Sequence, residues 1–174
     1  MFTMFVKKLK NNKGTSYIQK GITYLGLLTL FAVCFDLIFI VAQFVISGFM
    51  LHNYATKLGI QGGLNGLGLN ATIITNSELV KEFKDAFKYL DIKDDEWSLS
   101  VRNESTYSPN EYYVYKDSTE YPTVMSNMRF ADPGSVILQI KTRWRLSSFV
   151  MNPLTKNTRG PTIQHKATFI SECW

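Results

Sequence analysis

Few residues in this sequence are of types and spacings that do chemistry. His165 and Cys173 lie near one end of the chain, and such a pair makes a nucleophile when the imidazole takes the thiol proton. Cys173 is the penultimate residue, a poorly pre-organised place for catalysis, so a free thiol or an intermolecular bridge is the plainer reading. His52 and Cys34 complete the two histidines and two cysteines and sit in no ligand spacing. Asp94-Asp95-Glu96 gathers three carboxylates without the spaced loop that a bound cation uses, and reads as a solvated turn. Gly66-x-Gly68-x-x-Ala71 has the form of a dinucleotide fingerprint, but no strand precedes it, and we read it as chance. Cys-x-x-Cys, His-Glu-x-x-His, Gly-x-Ser-x-Gly and phosphate-binding loops do not occur. These residues predict no enzyme, no metal and no cofactor.

Two polar positions stand out by location. Asp36 and Gln43 interrupt the run Ile22–Leu51, thirty residues that are otherwise apolar, small or hydroxyl-bearing. That run exceeds the roughly 20 residues that cross a hydrocarbon core. A carboxyl inside such a span is costly and marks a functional position by default. Seven residues apart, the two fall on nearly one helix face, a polar stripe aimed at a partner helix. Asp36 could be protonated, hydrogen-bonded in a helix–helix contact, or paired with a cation, which a partner subunit would have to supply because none lies within the span. A protonated or snorkelling carboxyl with no task is the plainer alternative.

The elements that must position these residues begin with that helix. No proline occurs before Pro109, so the helix is predicted to run from about residue 15 to 57. Its 41 residues from Tyr17 to Lys57 would measure about 60 Å, twice the hydrocarbon thickness. Charge is polarised around it. Residues 1–20 carry Lys7, Lys8, Lys10, Lys13 and Lys20 and no acid, while the other 154 residues hold equal numbers of acids and bases. The positive-inside bias then places the N-terminus in the cytoplasm and the C-terminal part outside the cell membrane. We divide the chain into a basic leader (1–14), the transmembrane helix (15–57), a glycine-rich neck (58–75) and an exterior head (76–174).

Within the head, Thr75-Asn76-Ser77-Glu78 is a capping box. Leu79, Val80, Phe83, Ala86, Phe87 and Leu90 follow on one helical face. Period-two patterns then predict strands at Trp97–Val101, Glu111–Lys116, from Leu138 to Leu146, and Lys166–Ile170. In the third of these, Leu138, Ile140, Thr142, Trp144 and Leu146 alternate with Gln139, Lys141, Arg143 and Arg145. Lys141, Arg143 and Arg145, with nearby tyrosines, could contact a polyanion such as nucleic acid. Solvated charges protecting a strand edge are the plainer reading. The predicted fold class is α+β: a long transmembrane helix, then one amphipathic helix packed on an antiparallel meander of about four strands.

This layout resembles type IV pilin-like proteins. The segment Lys13-Gly14-Thr15-Ser16-Tyr17-Ile18-Gln19 looks like their processing site, Asp132-Pro133-Gly134-Ser135-Val136 like their lead into an alternating strand, and Lys166–Glu172 like their final strand. It is most similar to Tad-type minor pseudopilins and to an uncharacterised family of Gram-positive bacteria and their mobile elements. The resemblance implies cleavage by a prepilin peptidase between Gly14 and Thr15, removing four lysines. It also implies packing of the freed helix against other pilin-like subunits in a surface pilus, secretion or conjugation apparatus. Gln19 occupies the helix-docking position where the family usually has Glu; it keeps the hydrogen-bond geometry and loses the ion pair. The alternatives are an uncleaved single-pass accessory subunit of a transfer channel and a DNA-capturing surface protein.

Overall fold

The structure, a computed structural model, describes residues 12–64, 74–104, 110–121, 129–155 and 158–172, with side chains from Ser16 onward except that of Thr155. Lys7, Lys8, Lys10, the Gly66-x-Gly68-x-x-Ala71 motif and Cys173 lie outside the described residues. So do the side chains of Lys13 and Thr15; the backbone of Lys13, Gly14 and Thr15 is helical.

Helix α1 spans Asn12–Gln61, and its stretch Ser16–Gln61 is long and apolar enough to cross a membrane. It is followed by α2 (Asn76–Tyr89), β1 (Trp97–Asn103), β2 (Asn110–Lys116), β3 (Thr119–Glu120), β4 (Pro133–Arg143), α3 (Ser148–Thr155) and β5 (Arg159–Ile170). The described residues divide into two compact units. One holds α1 up to Ile38 with Trp144–Thr158; the other holds Phe39–Arg143 with Arg159 onward.

In the larger unit, an all-antiparallel sheet of five strands has the order β3-β2-β1-β4-β5. The α+β class agrees with the sequence, but the meander is interrupted. After β1, β2 and β3, the chain returns so that β4 lies on the far side of β1, pairing Leu99 with Leu138 and Val101 with Val136. Strand β4 starts five residues earlier than its alternation suggested and ends at Arg143, so Trp144 and Leu146 are not part of it. Strand β5 begins at Arg159, seven residues before the predicted start.

The capping box at Thr75 forms as read: the Glu78 N–H donates to Thr75 Oγ1 and the Thr75 N–H to Glu78 Oε2. This satisfies two donors that a helix start leaves without partners. Leu79, Val80, Phe83 and Phe87 of α2 are buried with Leu51, Tyr54, Ala55 and Leu58 of α1 and with Trp97, Leu99, Leu138 and Ile140 of the sheet. The C-terminal part of α1 is therefore a core element of the head.

Helix α1 also runs four residues past its expected end, into the segment read as a neck. Gly59 lies inside it because the end of β5 crosses there. A Cβ at Gly59 would stand 3.0 Å from the Ile170 carbonyl oxygen and 3.4 Å from Phe169 Cβ, and the Gly59 carbonyl accepts the Glu172 N–H at 2.9 Å. A backbone neighbour cannot swing aside, so Gly59→Ala is expected to lower stability by about 1–3 kcal/mol, as overpacking does. Urea denaturation of the full chain in detergent checks this, and a midpoint equal to the parent's would refute the contact.

Candidate functional site

The most developed polar site lies around Asp36. Its unit contains the α1 residues Tyr17, Ile22, Leu25, Leu28, Phe31 and Phe35, all exposed. Asp36 itself is only 3% exposed. Its carboxylate accepts the backbone N–H of Arg145 at 3.2 Å, of Leu146 at 3.1 Å and of Ser147 at 2.9 Å. The Ser147 hydroxyl donates to it as well. These donors form the turn that leads into α3, whose Val150 and Met151 N–H groups both donate to the Ser147 carbonyl. Consecutive backbone N–H groups converging on one anion are a nest, and the carboxylate and the nest cancel one another's desolvation cost.

The sequence pointed to a partner helix for Asp36; the chain's own residues, 109 to 111 positions downstream, hold it instead. Gln43 is likewise buried within its own chain, its Nε2 donating to the Leu90 carbonyl at the end of α2 at 3.1 Å. Gln61, which sequence reasoning did not single out, fastens the chain beyond the helix. Its side chain donates to the Gly63 and Ile74 carbonyls and accepts the Ile74 N–H at 2.8 Å. The signal was one glutamine among apolar neighbours and small glycines, too weak to separate from solvated polarity.

Of the three basic residues, Lys141 and Arg143 line one groove together with Asp95, Glu96 and Arg159. Arg143 is paired with Glu96 and lies 4.0 Å from Asp95, which also occupies two of the three carboxylates of the acidic turn. Lys141 is exposed on β4, whereas Arg145 lies beyond the strand in the turn at Asp36. Of the tyrosines, Tyr112 and Tyr113 are partly exposed and Tyr115 is fully buried. Gln19 is exposed and its carbonyl accepts the Thr23 hydroxyl. Cys34 is an exposed free thiol.

His165 packs on α1: its ring centroid is 4.5 Å from that of Phe44, and a Cβ at Gly48 would stand 3.1 Å from its Cε1. Burial pushes its pKa below the ordinary 6.5, against a smaller opposite pull from a hydrogen bond with the Phe44 backbone. The unfolded chain therefore binds a proton more readily than the folded one. Stability is full above the ordinary histidine pKa and declines as pH falls through the lowered folded value. Urea midpoints measured in detergent at about pH 7.5 and about pH 5 are expected to fall with acidification, and His165→Gln is expected to flatten that dependence. An equal slope in the variant would show that His165 is not the group responsible.

A groove of about 540 Å³ is lined by Thr56, Gly59, Pro133, Phe169 and Glu172 among others. No protein-family model, curated protein or solved structure matches the chain.

Proposed function

We propose that this chain is a single-pass, membrane-anchored structural subunit of pilin-like type, serving a surface pilus, secretion or conjugation apparatus rather than catalysing a reaction. The observation that supports the reading is the division of labour along α1. From Tyr17 to Phe35 the helix exposes large apolar side chains on every face, as a lipid-facing or helix-packing segment does. From Leu51 to Leu58 it is built into the core of an antiparallel α+β head. The lysines at positions 7, 8, 10, 13 and 20 favour a cytoplasmic N-terminus and an extracellular head. Assembly would then follow cleavage between Gly14 and Thr15, with Gln19 meeting a neighbouring subunit through hydrogen bonds.

A second reading, an uncleaved accessory subunit of a transfer channel, is favoured by the Asp36 site. A buried acid already satisfied by its own chain needs no neighbour, and a subunit resident in the bilayer keeps its lysines. The N-terminus and intact mass of the protein in the membrane and shed fractions of its native host separate the two. A mature start at Thr15 is expected for the pilin-like subunit. A start at Met1 in every fraction sinks it and leaves the resident anchor.

A further inference from the structure

We infer that residues 144–155, the turn held by Asp36 together with helix α3, form a lipid-embedded element that lies beside α1 within the outer part of the bilayer. The inference rests on the reading that α1 crosses the membrane. Its first support is depth. Lys20 is exposed on α1 and its ammonium reaches for the headgroups on the basic side. Asp36 follows 16 residues later, about 24 Å along the helix, against a hydrocarbon core of about 30 Å. With Lys20 at one boundary, Asp36 lies about 6 Å short of the other, still among acyl chains.

The second support is that the backbone N–H groups of the turn all find acceptors within the chain, as hydrocarbon requires of them. The N–H groups of Arg145, Leu146 and Ser147 all reach the Asp36 carboxylate. The Trp144 N–H donates to the Thr158 carbonyl, and the Ser148 hydroxyl to the Arg145 carbonyl.

The third support is the outward surface. Residues 144–155 contain one charged side chain, Arg145, which is half-buried. Leu146 is 57% exposed, Phe149 58% and Leu154 75%, with Asn152 the one amide exposed among them. In the same unit, Phe31, Phe35, Leu37 and Ile38 of α1 are also exposed, so the apolar surface belongs to the same body as the membrane-crossing helix. Lipid is the occupant that suits both, since a bilayer covers scattered aliphatic and aromatic side chains without asking for a matching surface.

Depth-dependent quenching tests the inference. The full-length protein carrying Phe149→Trp is placed in phosphatidylcholine vesicles with bromine at defined acyl carbons, and the emission of the unsubstituted protein is subtracted. Bromines on the upper acyl carbons are expected to remove the added emission by about twofold, while aqueous iodide leaves it unchanged, as for a side chain several ångströms below the headgroups. Phe31→Trp, on α1, reports the crossing itself. If it is quenched by bromolipid while Phe149→Trp is quenched by iodide alone, the embedded element is overturned and the crossing helix stands. If neither is quenched by bromolipid, both fall. Leu154→Trp repeats the measurement should the first variant fail to fold.

Discussion

Asp36→Ala is expected to free the turn at residues 145–147 and, with it, the whole of α3. The substitution removes the acceptor of three backbone N–H groups and one hydroxyl at a site where Asp36 is almost fully buried. A buried donor left without a partner costs about 1–3 kcal/mol, and some of that returns when the turn shifts or admits water, so we expect a net loss of about 3 kcal/mol. Local opening on that scale speeds amide exchange by about 100-fold. Hydrogen–deuterium exchange of peptides covering residues 144–155, from the full chain in detergent, is the measurement. Asp36→Asn keeps one carbonyl oxygen and brings an NH2 group that faces donors, so it should fall between parent and alanine variant. Exchange in Asp36→Ala no faster than in the parent would show that the carboxylate does not hold the turn.

A loss of similar size is expected at the centre of the head. Trp97 opens β1, is 2% exposed and pairs across the sheet with Ile140. Its ring stacks on Tyr115 at 4.0 Å, meets Phe87 edge-on at 5.1 Å and lies 6.0 Å from Phe83. Phe83 in turn lies 5.1 Å from Tyr54 of α1, so the indole sits in a continuous aromatic chain from helix to sheet. Trp97→Ala removes the burial of a large side chain and leaves a cavity that stacked rings cannot refill, at a cost of about 3–5 kcal/mol. With a urea dependence of about 1–3 kcal/mol per molar, the midpoint should fall by about 2 M. Trp97→Phe retains most of the contacts and should lose less than half as much. An unchanged midpoint in the alanine variant would remove this cluster from the account of what holds the head together.

Helix α1 was legible because its signal is simple. A run of thirty residues that are apolar, small or hydroxyl-bearing apart from Asp36 and Gln43 is long enough to cross a membrane as a helix, whose backbone satisfies itself. The face that α1 buries was not legible, because core-facing and outward-facing positions are apolar alike and leave no periodicity to read. The capping box before α2 and the alternation from Leu138 to Thr142 were legible for the opposite reason, since short-range chemistry and a two-residue period are both local. Strand β3 escaped notice: it has two residues, and its hairpin turns through Asp117 and Ser118, both at positive φ, without the glycine that usually marks such a turn.

The residues thought to carry function divide in the same way. Sequence alone identified Asp36 as an anomaly, because a carboxyl in an apolar run is conspicuous without any knowledge of its surroundings. It also showed the charge polarised towards residues 1–20, which carry five lysines and no acid. Only tertiary structure decided what answers the carboxylate. Trp144 and Leu146 continue the strand's alternation in sequence, yet β4 ends at Arg143 and the turn beyond it closes on α1. Arg143, read as one of three aligned cations, turns instead to Glu96. Local patterns specify how each segment behaves beside its sequence neighbours; a contact across more than a hundred residues depends on how the segments stack, and no spacing in the sequence records it.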